Sequence, residues 1–105
     1  MWLSLDLVFN YMSDYELMLI FKTGLSEEDM SALIGKIKDL LDKHAKGEVV
    51  KTDDWGKRTL SYPIKNQTDG RYQVWQVKAS PDGLAEFSTR LRREENVLRF
   101  LLTVK

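Results

Sequence analysis

The sequence predicts an α+β domain in which two helices cover one face of a four-stranded antiparallel sheet, in the chain order β-α-β-β-α-β. Three observations lead there. Two segments space their apolar residues as helices do, and four others carry strand-like runs or alternation. Cap and turn residues separate them. With 105 residues and 43% hydrophobic content, the chain has room for one domain and apolar surface for one core.

The first strand is Tyr15 to Lys22, YELMLIFK. Tyr15, Leu17, Leu19 and Phe21 point to one face, and Glu16, Met18 and Ile20 to the other. Both faces are partly apolar, which predicts a central strand. A helix follows from Ser26, which serves as N-cap, with Asp29 three positions on and acidic residues in the first turn. Met30, Leu33, Ile34, Ile37, Leu40, Leu41 and His44 form one apolar stripe. Gly47 is expected to supply the left-handed residue that ends it.

Residues 48–64 predict an extended stretch interrupted near Asp53 to Gly56, where Gly56 implies a bulge or bend. Pro63 cannot donate to a ladder, so this strand should lie on an edge or be near its finish. Lys65 to Gly70 reads as a polar connection ending in an Asp-Gly turn. Arg71 to Lys78 alternates as a third strand. Ser80 is the expected N-cap and Pro81 the first residue of a second helix, whose face is Leu84, Phe87 and Leu91. Val97 to Val104 closes the chain as a strand, with Leu98, Phe100, Leu102 and Val104 expected in the core. Two apolar helical stripes and this strand order fit the ferredoxin-like βαββαβ sandwich.

Sixteen basic residues balance sixteen acidic ones. Indiscriminate attraction to phosphate or anionic membrane is therefore not expected, and any nucleic-acid contact must come from local clustering. The absence of cysteine excludes disulfides and thiolate zinc sites. His44 stands on or beside the helical stripe, where packing or capping is the better reading. Glu27-Glu28-Asp29 and Asp53-Asp54 are adjacent acids whose side chains diverge, so neither makes a catalytic pair. No nucleophile, phosphate-loop or metalloprotease motif is present. No enzyme activity, cofactor or metal is expected.

With helices on one face, the other must meet water or a partner. Met18, Ile20, Tyr72, Val74 and Leu101 would gather there, and such a concentration suits a protein partner or stacked bases. Basic residues cluster at Lys57 and Arg58 beside the Gly56 bend, and at Arg90, Arg92, Arg93 and Arg99. Such residues can contact phosphate, with Tyr62 available for stacking. Charge at a helix end and ion pairs with Glu94 and Glu95 are the competing reading.

The stretch Asp53 to Ile64, D-D-W-G-K-R-T-L-S-Y-P-I, resembles the signature of the bacterial small-subunit ribosomal protein six family. Met12-Ser-Asp-Tyr-Glu is similar to the family's start, and R-R-E-E-N-V-L-R-F to its R-x-x-[DE]-N-V-x-R region. The resemblance covers about residues 12–105 and implies a ferredoxin-like structural component of the cytoplasmic ribosome. It further implies binding to the central domain of the small-subunit rRNA as a heterodimer with small-subunit ribosomal protein eighteen. Lys57, Arg58 and Tyr62 match motif positions implicated in RNA contact; Arg92, Arg93 and Arg99 are further candidates near the last motif. Thr59 departs from the pattern, standing where many members carry a second arginine.

Residues 1–11 lie outside that pattern and are expected to be an N-terminal extension. Met1 to Phe9 lacks the basic start and length of a signal peptide or membrane span. The principal rival reading is a ferredoxin-like regulatory domain that binds a small ligand, since the fold hosts many functions.

Overall fold

The computed structural model of the chain describes residues 13–104; the expected extension over residues 1–11 lies outside them. Strand β1 (Ser13–Lys22) is central, and pairs antiparallel with both β3 (Gln67–Ala79) and β4 (Val97–Val104). Strand β2 (Glu48–Ile64) pairs with β3 at the opposite edge, giving the order β2-β3-β1-β4. Helices α1 (Glu27–Ala45) and α2 (Leu84–Arg92) complete the predicted βαββαβ sandwich.

The core follows from alternation on β1. Tyr15, Leu17, Leu19 and Phe21 are buried in one cluster with Trp75 and Val77 of β3. The α1 stripe contributes Met30, Leu33, Ile37 and Leu41, and α2 contributes Phe87 and Leu91. Each large side chain so buried contributes about 1.5–3 kcal/mol over exposure. Gln73 is a buried polar group on this face. It accepts a hydrogen bond from Trp75 Nε1 at 2.9 Å, so its burial leaves that acceptor satisfied.

Helix α1 holds as expected in extent, α2 is shorter than expected, and the ends of both differ in detail. Asp29 N–H donates to the Ser26 hydroxyl at 3.1 Å, the predicted cap. The left-handed residue closing α1 is Lys46 (φ 50°), one position before the expected glycine. Its N–H donates to Asp42 O and the Gly47 N–H to Leu41 O, which satisfies two end carbonyls. Ser80 makes no side-chain cap. Its own N–H donates to Ala45 O, a 3-10 turn covers Pro81–Gly83, and α2 proper starts at Leu84.

Strand β4 corrects the expected core set. Phe21 pairs with Val97 and Ile20 with Arg99, so Leu98 is an extra residue in a bulge. Parity shifts there: Val97 joins the core and Leu98 turns to the other face. Phe100 and Leu102 do pack on the core, whereas Val104, at the strand's end, is 76% exposed.

The β2–β3 connection is also shorter than expected. Lys65 (φ 48°) and Asn66 (φ 64°) are both left-handed between the paired residues Ile64 and Gln67, a two-residue hairpin turn of the primed type. Asp69 and Gly70 already lie within β3. Gly70 is needed for close approach: a Cβ there would stand 2.4 Å from Ile20 Cγ2. The expected bulge occurs at Gly56 (φ 76°), where Asp54 Oδ1 accepts from the Gly56 N–H at 2.8 Å. A larger irregularity sets Leu60 to Pro63 against Thr68 alone, consistent with proline on an edge strand.

Candidate recognition surface

The face of the sheet away from the helices carries Met18 opposite Val74 and Leu101, and Ile20 opposite Tyr72 and Arg99. All five apolar residues expected there are brought together. They differ in access. Ile20 and Val74 are buried, Met18 and Tyr72 are half-buried, and Leu101 is 52% exposed. Ile20, Leu60 and Leu98 meet around the space that Gly70 leaves open.

The outer arm of the β2–β3 hairpin forms a wall over this face. Because Leu60 to Pro63 are released from regular pairing, the arm bends toward β4, and Arg99 Nη1 donates to the Tyr62 hydroxyl. At the tip, Lys65 Nζ donates to Val97 O at 3.1 Å. The result is a groove of about 220 Å³ between Met18, Tyr72 and Leu101 on its floor and Leu60, Tyr62 and Ile64 on its wall. Apolar floor with an arginine at the rim suits a surface that excludes water from a partner's side chains.

The six candidate RNA residues do not form one patch. Tyr62 and Arg99 are joined by their hydrogen bond. Arg92, at the end of α2, lies with its guanidinium 5.9 Å from the Phe100 ring and shares a recess along β4 with Lys65 and Arg99. Arg93 caps α2 and is exposed. Arg58 stacks 5.9 Å from the Trp55 ring on the bulge. Lys57, one residue away, points to the helix side of the strand, near Lys22 and Arg71, and its Nζ is 3.5 Å from Asp69.

The competing reading of ion pairs with Glu94 and Glu95 is not met: among the described residues no arginine pairs with either. Glu94 pairs with Lys36 at 2.7 Å and Glu86 with Arg90 at 2.8 Å. Among the described residues Arg58, Arg92, Arg93 and Arg99 stand in no ion pair. The Arg90 guanidinium hydrogen-bonded to Glu86 holds that carboxyl below its ordinary range. Arg71 does the same for Asp54: its Nε donates to Oδ2 at 3.1 Å, and this bond is the largest cause of a lowered pKa. These pairs are internal to the chain, whereas Arg58, Arg92, Arg93 and Arg99 have no carboxylate partner among the described residues.

Sequence reasoning missed Lys65, Leu60, Ile64 and Leu98 as members of this surface, and Trp55 as the ring beside Arg58. The W-G-K-R motif contains Trp55, but nothing in the residue pattern gives its exposure of 51%. Lys65 reads as loop in the sequence because its neighbours across β4 are distant in the chain. His44 is half-buried on α1, and no group of His, Asp or Glu among the described residues could hold a metal.

A helix-backed sheet with an apolar, arginine-rimmed groove defines a recognition module. Comparison with known proteins gives the family. The family model described as Ribosomal protein S6 matches residues 14–105, and the chain belongs to that family. The small ribosomal subunit protein bS6 of Dictyoglomus turgidum is 40% identical over 89% of this chain and 95% of its own. That of a Sulfurovum species is 42% identical over 90% of this chain and 72% of its own. The chain is thus a structural protein of the small ribosomal subunit and not an enzyme.

The fold has its own parallels. The crystal structure of 30S ribosomal protein S6 from Thermotoga maritima superposes with a TM-score of 0.80 at 24% identity, covering 90% of this chain and 88% of that one. The P2 domain of a chemotaxis kinase from the same organism, solved in complex with a response regulator, gives 0.57 at 18% identity over 90% and 99%. No described helix is long and apolar enough to cross a membrane.

Proposed function

We propose that the chain binds the central domain of the small-subunit rRNA together with small-subunit ribosomal protein eighteen, as a heterodimer. The open sheet face takes the protein partner, with Met18, Ile20, Tyr72, Val74 and Leu101 as its apolar floor. Arg92 and Arg99, with Lys65 and Tyr62, take phosphate and base along β4; Arg58, Arg93 and Lys57 contribute from separate positions.

The observation that carries this reading is the hydrogen bond between Arg99 and Tyr62. It ties the wall of the apolar groove to the unpaired arginines, so protein and RNA contacts adjoin along one edge. An apolar patch alone would suit any protein, and scattered arginines alone any polyanion. Their adjacency favours a ribonucleoprotein joint.

Titration of the central-domain rRNA fragment, with and without protein eighteen, at several salt concentrations tests this. Tight binding is expected only with the partner. Removing one phosphate-binding side chain, as in Arg99→Ala, should lower the slope of log affinity against log salt by about 0.9 where the phosphate belongs to a duplex. An unchanged slope in Arg99→Ala and Arg92→Ala removes those residues from the RNA contact. Equal binding with and without the partner defeats the heterodimer reading.

A further inference from the structure

We propose that Trp55 and Arg58 form a platform on which one unpaired base of the bound RNA stacks, on the edge strand of the sheet and apart from the groove. The proposal rests on the rRNA-binding reading given above. It adds a base contact that neither the groove nor the β4 arginines supply.

The platform is built by the bulge in β2. Trp55 falls where the β2–β3 register shifts between Asp54 and Gly56, so it is the extra residue and has no partner on β3. Strand β2 is the outermost strand on its side of the sheet. Trp55 is 51% exposed and takes no part in the core cluster. A lone exposed aromatic is ordinary on a protein surface. Two further observations set this one apart.

The first is that the bulge is held in place. Asp54 Oδ1 accepts from the Gly56 N–H at 2.8 Å, and its Oδ2 accepts from Arg71 Nε on β3 at 3.1 Å. Gly56 takes φ 76°, and a Cβ there would meet nothing within 4 Å beyond its chain neighbours, so the surface beside the ring is open. A ring presented from a fixed backbone loses less freedom on binding.

The second is the charge beside the ring. The Arg58 guanidinium lies over the Trp55 ring, 5.9 Å from its centroid, a cation–π arrangement. The neighbouring charges cancel within the chain. Asp53 stands 4.0 Å from Lys51, Lys57 pairs with Asp69 at 3.5 Å, and Asp54 pairs with Arg71. Of the charged residues from 51 to 58, Arg58 alone has no ion-pair partner among the described residues. An aromatic ring with a free guanidinium beside it suits an unpaired nucleotide, whose base stacks on the ring while its phosphate meets the cation. Arg58 takes one face of the ring, and the base takes the other.

The same strand argues against a protein segment at this edge. Its register shifts in three places, at Val49/Lys51, Asp54/Gly56 and Thr59/Ile64. Such bulges break the regular edge that an added strand would pair with. A base requires only the face of the ring.

The test is the affinity of the full-length chain for the central-domain rRNA fragment with protein eighteen present. Trp55→Ala should lose about fivefold to about 150-fold, the range for one stacked base. Trp55→Phe retains an aromatic face and should stay within about threefold of wild type, whereas Trp55→Leu retains only apolar bulk and should fall with Trp55→Ala. Trp55→Leu binding as well as Trp55→Phe overturns the proposal, because plain apolar contact then suffices. If Trp55→Ala does not fold, the comparison of Trp55→Phe with Trp55→Leu still decides. A loss of the same size in affinity for protein eighteen without RNA makes Trp55 a protein contact and also overturns it. Wild-type binding that no Trp55 substitution alters defeats the stacking site alone. A wild-type chain that fails to bind the fragment even with protein eighteen defeats the rRNA reading, and the stacking site with it.

Discussion

Leu17 and Met18 are neighbours in the chain and opposite in circumstance. Leu17 is fully buried between sheet and helices, whereas Met18 lies half-buried on a face that no helix covers. The same contrast holds for Trp75 against Tyr72 on β3, and for Phe100 against Leu101 on β4. One face of the sheet is packed by its own chain at interior density, where a missing methylene is felt. The other is apolar and, away from Ile20 and Val74, lacks that packing, so substitutions at Met18, Tyr72 and Leu101 should alter binding before they alter folding.

The largest expected effect comes from emptying the packed face. Phe87 is fully buried between α1 and the sheet, and Phe87→Ala should cost about 3–5 kcal/mol, read from urea midpoints. Leu101→Asp, on the open face, should change stability by less than about 1 kcal/mol. The same variant should lose tenfold or more in affinity for protein eighteen. If Leu101→Asp destabilises as Phe87→Ala does, the open face belongs to the fold and the division between faces is wrong.

An intermediate effect is expected where the open face is packed most closely. A Cβ at position 70 would meet Ile20 Cγ2 at 2.4 Å, with Leu60 Cδ2 at 3.4 Å beyond it. Gly70→Ala should therefore cost about 1–3 kcal/mol by overpacking. Leucine has no branch methyl at Cβ, so Ile20→Leu removes the clashing atom. The double variant should recover part of the loss, a coupling of about 0.5–3 kcal/mol in a double-mutant cycle. Simple additivity would mean that the hairpin yields as a whole and that the contact does not set its position.

How much of this is legible in the sequence differs between the two faces. Alternation on β1 and β3 has a period of two, so residue order alone names the core residues of those strands and four of the five open-face residues, Met18, Ile20, Tyr72 and Val74. β4 is harder, because V-L-R-F-L-L-T-V is apolar at both parities and one extra residue, Leu98, switches them. The hairpin turn is misplaced for a related reason. Asp69-Gly70 is a strong turn signal, but that glycine answers a steric demand from Ile20, while lysine and asparagine take the left-handed turn. The candidate site suffers most. Tyr62 meets Arg99 only because four residues leave the ladder, and no local pattern encodes how far a released arm will bend. The motif-based resemblance finds the family without that geometry, since it depends on residue identity rather than contacts.

The smallest expected effect lies at the exposed margin of the packed face, where Arg71 holds Asp54. The hydrogen bond from Arg71 lowers the Asp54 pKa from its ordinary 3.8. A carboxylate with a folded pKa below its unfolded value contributes stability that is fully present above the unfolded value. That contribution disappears as pH falls through the folded value. The Asp54 side chain is 39% exposed, so solvent screening holds the pair to about 0.5 kcal/mol. Asp54→Asn should then cost about this much at pH 7, by urea unfolding, and the gap from wild type should close as pH drops below about 4. Arg71 stays charged throughout, so only the carboxylate titrates within the pair. A gap that persists undiminished at low pH would mean that the carboxylate charge does not carry the loss; the Gly56 N–H bond would not account for it either, since an asparagine Oδ1 accepts that bond as well.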